Sequence, residues 1–208
     1  MGLMDRIAAD PFEGFLEQSI AYNSLSVFYD PLIVYRRYGQ SPQEWVTNWL
    51  SGLASQFSET GQVHTGREHT IPVCYEWPFA PDLDAVAAYH GVTADEIVAG
   101  HHHQPYYVFM VGFSPGFPYL GILPPFMETP RKSSPSLQVR AGSVGLAGRQ
   151  TGIYPFDSPG GWNIIGRTPL RLFTIDEAEL CLLRPGDTVR FSPIDKQTFY
   201  YLNQYADT

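Results

Sequence analysis

Residues 106–121, which read YYVFMVGFSPGFPYLG, constrain the fold of this chain more than any other segment. The first six residues are aromatic, β-branched or otherwise apolar, which is typical of a strand. The remainder interleaves glycine and proline with Phe113, Phe117 and Tyr119. Because glycine permits unusual backbone angles and proline fixes φ, this composition predicts a rigid apolar surface at the end of a strand, and not a solvated connection.

Two later segments have the same composition. Residues 141–155 read AGSVGLAGRQTGIYP, and residues 158–169 read SPGGWNIIGRTP. From Tyr106 onward, short β-type runs separated by glycine and proline predict a β-barrel or a β-sandwich without a long helix. Residues 184–187 (RPGD) predict a turn, and residues 188–191 predict a closing strand.

The N-terminal part of the chain has a different pattern. Residues 14–29 alternate partly between apolar and polar side chains, which predicts extended structure. Residues 41–44 (SPQE) predict a capping box, and an apolar stripe with two tryptophans predicts a helix from there to about Ser58. The polar residues 61–68 contain two glycines and predict a linker. We therefore expect two domains: a small α+β domain at residues 1–66 and a mainly β domain at residues 67–208.

The larger domain begins with mixed structure. Residues 70–75 predict a strand, and residues 81–90 predict a short helix that ends at Gly91. Residues 93–96 (TADE) form a second capping-box pattern, which predicts a helix that ends near Gly100.

Composition argues against several classes of function. The formal net charge of −8 argues against sequence-independent binding of nucleic acid. No apolar run approaches the roughly 20 residues needed to span a bilayer. Cys74 and Cys181 are the only cysteines, and no secretory signal precedes them, so we expect two free thiols in a reducing cytoplasm.

The charge is unevenly distributed along this acidic chain. Residues 129–156 contain no Asp or Glu but contain Arg131, Lys132, Arg140 and Arg149. Because the segment includes a glycine-rich motif, its backbone N–H groups and cations are candidates for an anion-binding concavity. The alternative is a set of solvated loop cations.

These glycine- and proline-rich motifs resemble the family of the B subunit of 5-oxoprolinase, also called allophanate hydrolase subunit 1, which includes KipI-like kinase inhibitors. The resemblance is strong over residues 69–194 and weaker over residues 15–59. Five segments carry it, in the family's order and spacing: IPVCY at 71–75, GFSPGFPYL at 112–120, AGSV at 141–144, QTGIYP at 150–155 and PGGW at 159–162.

The resemblance implies a cyclophilin-like β-barrel for the larger domain and a ferredoxin-like arrangement for the smaller one. Family members usually begin with a strand and a helix ahead of the region that matches Phe15. Here residues 1–10 resemble only the end of that helix, so we expect a truncated N-terminal domain that lacks its first strand. Because a missing strand exposes a pairing edge, we expect self-association through this domain or local disorder within it.

Three consecutive histidines, residues 101–103, form the most conspicuous polar cluster. Neighbouring residues on a helix point in different directions, and no Cys, Asp or Glu lies nearby at ligand spacing, so we predict no metal site. His101 matches a histidine that is common in the family. Two roles are open for it: a cap at the end of a helix, or a substrate-facing proton donor or acceptor.

Two patterns of catalytic or nucleotide-binding proteins are rejected. Residues 112–116 match the Gly-x-Ser-x-Gly pattern of a nucleophile elbow around Ser114, but Pro115 has no N–H group to donate to an oxyanion. The phosphate-binding pattern Gly-x-x-x-x-Gly-Lys-Ser/Thr is absent. The sequence therefore indicates no self-sufficient active site.

The remaining candidates predict a surface for a substrate or a partner. Aromatic side chains held in glycine- and proline-rich loops would contact a ligand or another protein, or cap the barrel core, and arginines would offer a bidentate fork to a carboxylate or phosphate. The family usually has arginine at the place of Ser136 and proline at the place of Arg140, which makes Arg140 a candidate relocated cation. The full set is His101, Phe113, Phe117, Tyr119, Arg131, Arg140, Ser143, Arg149, Gln150, Tyr154, Trp162 and Arg167.

The resemblance implies a subunit of a heteromeric, cytoplasmic 5-oxoprolinase, in which ATP hydrolysis drives the opening of the lactam of 5-oxoproline to glutamate. The implied partners are an allophanate hydrolase subunit 2-type protein (the C subunit of 5-oxoprolinase) and a third oxoprolinase subunit. One alternative is a KipI-like inhibitor of histidine kinase autophosphorylation. Another is a subunit of a different small-amide hydrolase or carboxylase.

Overall fold

The computed structural model describes residues 2–22, 24–56, 66–175 and 179–205. The chain divides into two compact units, Met1–His64 and Thr65–Thr208. Residues 61–65 of the predicted linker, and Ser58 at the predicted end of the long helix, lie outside the described residues.

The first unit combines a β-hairpin with three helices. Its elements are α1 (Leu3–Ala9), β1 (Phe15–Ala21), β2 (Ser24–Tyr29), α2 (Pro31–Tyr38) and α3 (Pro42–Ser55). The two strands pair antiparallel, which confirms the extended structure predicted for residues 14–29. The described sheet of this unit has two strands, and neither a ferredoxin-like arrangement nor a truncation of it is confirmed.

Helix α2 was not predicted from the sequence. Asp30 caps its start, because the Asp30 Oδ1 atom accepts hydrogen bonds from the backbone N–H groups of Leu32 (2.8 Å) and Ile33 (3.1 Å). Pro31 occupies the first helical position, and Gly39 ends the helix in the left-handed conformation. An aspartate before proline therefore starts a helix here, although the same pair also marks the end of the preceding strand.

Helix α3 begins where the sequence predicted but without the predicted capping box. Pro42 is its first residue, and the Ser41 side chain makes no capping hydrogen bond. The apolar stripe is confirmed as packing, since the Phe12 ring packs edge-on against both indoles of this helix, with its centroid 5.4 Å from Trp45 and 5.0 Å from Trp49. The two tryptophans are therefore core residues of the first unit.

The second unit contains a closed barrel of seven strands in the order β10-β3-β11-β4-β5-β8-β7. Barrel neighbours are antiparallel, apart from the parallel pair β3 and β11. This closure confirms the predicted barrel and excludes the sandwich. The strands of the unit are β3 (Glu68–Cys74), β4 (Tyr106–Val111), β5 (Pro118–Gly121), β6 (Ser136–Val139), β7 (Ser143–Ala147), β8 (Gln150–Ile153), β9 (Ser158–Gly160), β10 (Asn163–Arg167) and β11 (Thr188–Ile194), of which β6 and β9 form a separate ribbon.

Two predicted helices of the second unit are confirmed. Helix α4 (Leu83–His90) ends at Gly91, and helix α5 (Ala94–His102) begins with the predicted capping box. In that box the Thr93 hydroxyl accepts from the Glu96 N–H group, and the Glu96 carboxylate accepts from the Thr93 N–H group. Across the described residues, no helix combines the length and the apolar character needed to cross a membrane.

The expectation of no long helix after Tyr106 is wrong, because α6 spans Lys196–Tyr205. Its sequence, KQTFYYLNQY, is rich in aromatic residues, which favour strands. The start is set by Asp195, whose Oδ1 atom accepts a hydrogen bond from the Thr198 N–H group at 2.7 Å. Phe199 anchors the helix, with its ring 4.2 Å from that of Phe79 and its side chain 3% exposed.

Apolar side chains fill the barrel and the layer beneath α4 and α5. This core includes Ile71, Val108, Leu120, Val144, Ile165 and Val189, each buried. Alternate residues of each strand supply it, because successive side chains of a strand point to opposite faces. Burial of this interior is the main favourable contribution to the stability of the second unit.

A chain of hydrogen bonds crosses the apolar interior of the barrel. The Thr151 hydroxyl donates to the Gly145 carbonyl oxygen (3.1 Å), so its oxygen accepts from His101 Nε2 at 2.9 Å. His101 Nδ1 therefore accepts from the Tyr75 hydroxyl at 2.8 Å. These partners fix a neutral imidazole protonated on Nε2, stacked on Phe191 at 4.4 Å. Complete burial, together with the neighbouring His102, lowers the pKa of His101 from 6.5 to about 3.

The buried neutral histidine predicts a loss of stability in mild acid. The unfolded chain binds a proton at His101 below pH 6.5, whereas the folded chain excludes it down to about pH 3. The unfolded state therefore holds more protons in that window, and the free energy of unfolding falls as the pH is lowered. Between pH 7.5 and 5.0 we expect this one group to remove about 2 kcal/mol, measured by urea denaturation at both pH values.

Two variants isolate the contribution of His101. His101→Gln is expected to be less stable at pH 7.5 but to lose about 2 kcal/mol less than the wild type on acidification. His103→Gln is the control. It removes an exposed histidine and should retain the wild-type pH dependence. An unchanged pH dependence in His101→Gln would contradict the assignment.

Candidate functional site

A cleft of about 480 Å³ lies beside the barrel, where the ends of β7 and β10 meet the ribbon strand β6. Its volume falls within the range of small-molecule sites, roughly 300–1,000 Å³. Pro78, Phe79, Pro81, Val139 and Ile164 form apolar walls. The polar lining consists of Asp82, Lys132, Ser136, Gln138, Arg140, Ser143 and Arg167.

Arg167 is the last residue of β10 and the least compensated cation of the cleft. Its Nε atom donates to the Ala141 carbonyl oxygen at 2.7 Å, which fixes the side chain. Among the described residues, the two terminal nitrogens of Arg167 have neither a hydrogen bond nor an ion pair. Burial lowers the pKa of Arg167 from its usual value, and the nearby Asp157 charge opposes this shift. The guanidinium remains charged and leaves one edge open to an anion.

The other two cations of the cleft are paired with carboxylates. Arg140 donates to the Asp157 Oδ2 atom at 2.6 Å, and Lys132 donates to the Asp82 Oδ1 atom at 2.7 Å. Both carboxylates come from outside residues 129–156. The positive segment predicted from the sequence is therefore partly neutralised in the fold by two aspartates, which lie 17 and 50 positions from their partners Arg140 and Lys132.

The prediction that backbone N–H groups of the glycine-rich motif bind an external anion is wrong for its first three residues. Gly142 donates its N–H to the Tyr154 carbonyl oxygen (2.7 Å), and Ser143 donates to that of Arg140 (3.1 Å). The Ala141 N–H group donates to the Asp157 Oδ1 atom at 2.8 Å. This bond, followed by the one from Arg140, lowers the pKa of Asp157. The motif thus holds an anion that belongs to the chain itself.

Gly142 has a specific reason to be glycine. Its φ angle is +81°, in the left-handed region that disfavours side chains. A Cβ atom at this position would also overlap the Thr168 carbonyl oxygen. Thr168 directly follows Arg167 in the chain. The close contact between Gly142 and Thr168 therefore sets the distance between the start of β7 and Arg167.

The predicted aromatic residues form a cluster that is largely separate from the cleft. Phe117, Tyr154 and Trp162 are buried, and Tyr119 packs on them. The Phe117 ring lies 4.9–5.4 Å from the other three rings. Burial raises the pKa of Tyr119 and of Tyr154. These four residues therefore cap the core, as one of the two interpretations of the sequence held.

Arg131 lies beside this aromatic cluster and not in the cleft. Its charge opposes the increase in the pKa of both Tyr119 and Tyr154, which requires proximity to the two phenols. The Arg131 side chain is exposed. Among the predicted cations, Arg131 thus belongs to a different surface from Arg140 and Arg167.

Phe113 differs from the other predicted aromatics because it is 76% exposed. Its φ angle is +72°, a genuine outlier for a bulky residue. Two backbone hydrogen bonds close its loop, from Gly112 N–H to the Phe117 carbonyl oxygen and from Phe117 N–H to the Ser114 carbonyl oxygen. The loop therefore presents an aromatic ring to solvent on a fixed backbone.

Three predicted site residues lie elsewhere. His101 is 0% exposed in the barrel interior, where both ring nitrogens have protein partners. Gln150 begins β8 and pairs with Gly121 and Ala147. Arg149 is exposed and does not line the cleft. The cleft therefore unites Arg140, Ser143 and Arg167 from the predicted set.

Sequence reasoning missed several cleft residues. Lys132 was noticed as part of the positive segment but not selected for the site. Asp82 carried no motif, yet its Oδ2 atom also accepts a hydrogen bond from the Ile164 N–H group at 2.8 Å. Phe79, Ser136 and Gln138 lie in loops or on a short ribbon strand, and no signal in the sequence could have placed them beside Arg167.

The polar lining of the cleft combines one open guanidinium edge with groups that are already paired. Among the described residues, the cleft lining includes no histidine or cysteine, and the carboxylate it does include, that of Asp82, is held by Lys132 and the Ile164 N–H group. Over the described residues, no three His, Cys, Asp or Glu side chains come together as a metal site requires. Fold and cleft together define a barrel domain with a cleft into which Arg167 presents its terminal nitrogens.

Comparison with known proteins identifies the family. Residues 1–183 match the family described as the carboxyltransferase domain, subdomain C and D. The B subunit of 5-oxoprolinase from Bacillus subtilis is 43% identical over 197 residues, which cover 93% of this chain and 82% of that protein. The chain therefore belongs to the family of the carboxyltransferase domain, subdomain C and D. The resemblance of its motifs to the B subunit of 5-oxoprolinase is confirmed.

Solved structures support the same fold. A conserved uncharacterized protein from Pyrococcus horikoshii has a TM-score of 0.62 at 39% identity, over 95% of this chain and 87% of its own. The urea amidolyase of K. lactis has a TM-score of 0.76 at 16% identity, over 99% of this chain and 14% of its own. At that identity the second likeness shows the fold alone. The chain thus corresponds to a small part of the much longer K. lactis protein.

Substitution of Gly142 tests the packing that positions Arg167. Gly142→Ala should lower the free energy of unfolding by about 3 kcal/mol, because it adds a steric overlap to left-handed strain. Gly148→Ala is a matched control, since its φ angle is +56° and no atom lies within 4 Å of the added Cβ. We expect about 1 kcal/mol there, from strain alone. Equal losses in urea denaturation would show that the contact with Thr168 is unimportant.

Proposed function

We propose that this chain is a subunit of a heteromeric ATP-dependent 5-oxoprolinase, in which its cleft holds the carboxylate of the substrate. The observation that carries the proposal is the half-buried guanidinium of Arg167, whose terminal nitrogens are unpaired among the described residues. Its relatives are named as the B subunit of 5-oxoprolinase, which supports the choice of substrate.

The chemistry of the cleft matches the two ends of 5-oxoproline. The planar guanidinium of Arg167 can donate two parallel hydrogen bonds to a carboxylate. Ser143 and Gln138 add neutral hydrogen-bonding groups to the lining, as the lactam amide requires. Phe79 and Ile164 supply apolar surface for the methylene groups of the ring.

The cleft is a poor fit for the triphosphate of ATP. Lys132 and Arg140 already pair with Asp82 and Asp157, so among the described residues of the cleft Arg167 is the one cation with an open edge. The phosphate-binding glycine motif is also absent from the sequence. When bound to the complex, ATP supplies the phosphoryl group that makes the resonance-stabilised lactam a better electrophile for water. We therefore assign ATP binding to another protein of the complex and positioning of the substrate to this chain.

The loop around Phe113 is the proposed contact with a partner, a protein like the C subunit of 5-oxoprolinase, and a third protein would complete the complex. Exposed aromatic residues on rigid backbones lose little conformational freedom on binding, which makes them effective interface anchors. The outlying φ angle of Phe113 is consistent with a functional constraint. Inhibition of a histidine kinase through the same loop is the second candidate, because an exposed aromatic anchor would serve that role as well.

Replacement of Arg140 tests the cleft as the substrate site. In Arg140→Ala the Asp157 carboxylate loses its pairing with Arg140, so its negative charge, which already acts on Arg167, competes with an anionic ligand for that guanidinium. We expect the KM for 5-oxoproline to increase about tenfold in the reconstituted complex, measured as 5-oxoproline-dependent release of ADP. Arg149→Ala, an exposed cation outside the cleft, should retain the wild-type KM.

The same assay tests the proposed function itself. Release of ADP that requires both 5-oxoproline and this chain would support it. A stable complex without turnover would point to another amide substrate. Failure to form a complex, together with inhibition of a histidine kinase, would favour the second candidate. If Arg140→Ala and wild type have the same KM, the cleft is not the substrate site.

Replacement of Phe113 tests the proposed interface. Phe113→Ala should weaken association with the C-type partner by about tenfold or more, the effect of losing an interface anchor, in calorimetric titration of the two purified proteins. Stability of the isolated chain should change little, because the ring is mostly exposed. Tyr89→Ala removes a similarly exposed aromatic side chain from α4 and serves as the control. Equal affinity in both variants would exclude the loop from the interface.

A further inference from the structure

We propose that a second, smaller pocket beside Arg167 binds a tetrahedral oxyanion, either inorganic phosphate or the phosphoryl group of a substrate. This pocket has a volume of about 150 Å³, enough for several water molecules and therefore for a phosphate. It lies between the start of the glycine-rich motif, the residues that follow β10, and the C-terminal helix α6. The residues that matter here are Ala141, Gly142, Arg167, Arg171 and Asn203.

Arg167 belongs to the lining of both the cleft and the small pocket. Its Nε atom is held by Ala141, so the position of the guanidinium is fixed before any ligand binds. The terminal nitrogens, unpaired among the described residues, are the groups left for ligands. A half-buried charge without a counterion is costly, and an oxyanion in either pocket would offset that cost.

Helix α6 brings a neutral donor to the same place. The Arg167 guanidinium lies 5.8 Å from the centroid of the Phe199 ring. Because residues four apart share a helix face, Asn203 lies on the same side of α6 as Phe199, and it lines the pocket. Within the described part of the chain, the Asn203 amide has no hydrogen-bond partner. An oxyanion between Arg167 and Asn203 would satisfy both side chains.

The electrostatics of the pocket favour an anion over a neutral ligand. Among the described residues, its lining contains no Asp or Glu, and Arg167 contributes the terminal nitrogens that have no described partner. The nearest acidic group acting on Arg167 is Asp157, whose two oxygens are engaged by Ala141 and Arg140. The size of the pocket and its two donors, Arg167 and Asn203, therefore suit a compact anion with several oxygens.

The two pockets would place two anionic groups on either side of one guanidinium. A carboxylate in the cleft and an oxyanion in the small pocket would both contact Arg167. The assignment of the cleft ligand rests on the proposed function, whereas binding of an oxyanion to the small pocket does not. The two ideas can therefore fail separately.

Inorganic phosphate is the first probe, titrated calorimetrically into the purified full-length chain without partners. Asn203→Asp replaces the amide by a carboxylate of the same shape and should weaken phosphate binding at least tenfold. Gln204→Glu introduces the same charge at the next position of α6, outside the pocket lining, and should bind phosphate as the wild type does. Equal affinities in all three proteins, or equal losses in both variants, would overturn the proposal.

Phosphonoacetate, which joins a carboxylate to a phosphonate, separates the two sources of the anion. Affinity about tenfold above that of phosphate, abolished by Asn203→Asp and reduced by Arg140→Ala, would support a phosphoryl group attached to a carboxylate substrate. Affinity equal to that of phosphate, again abolished by Asn203→Asp, would support free phosphate. If neither probe depends on Asn203, the pocket is not an oxyanion site, whatever the complex does with 5-oxoproline.

Discussion

The position of Arg167 at the seam where the barrel closes is the constraint on which the site depends. Strands β3 and β10 meet at the register pair Cys74–Arg167, and the Tyr75 side chain beyond this pair extends into the barrel interior. There its hydroxyl begins the hydrogen-bond chain through His101 to Thr151 on β8. The interior of the barrel thus supports the same seam that presents Arg167 at the surface. His101 acts as a core residue in this arrangement and does not line the cleft.

The Ala141 peptide links the seam to the cleft. Its N–H group binds the Asp157 carboxylate, and its carbonyl oxygen binds Arg167 Nε. Asp157 in turn pairs with Arg140, and the adjacent Gly142 allows close contact with the residue after Arg167. The glycine-rich motif therefore works as a scaffold that orders charges. Its N–H groups serve internal partners, while the open edge of Arg167 remains for a ligand.

Local signals in the sequence predicted much of the fold. Gly91 and the Thr93–Glu96 capping box place α4 and α5 correctly, since caps act over a few residues. The predictions failed where remote contacts decide the outcome. Helix α6 is held by Phe199 against Phe79, and the aspartates that neutralise Lys132 and Arg140 are up to 50 residues away. The site was predicted in part. Arg167 was selected with eleven other residues, but only the fold shows that, among the described residues, its terminal nitrogens have no partner whereas Arg140 is paired with Asp157.

The structure of the reconstituted complex with 5-oxoproline bound is the most direct test of the central claim, that Arg167 receives the substrate carboxylate. The account predicts a carboxylate oxygen within about 3.2 Å of a terminal nitrogen of Arg167, with the lactam ring against Phe79 and Ile164. A bound substrate that leaves both terminal nitrogens of Arg167 in contact with solvent would contradict it.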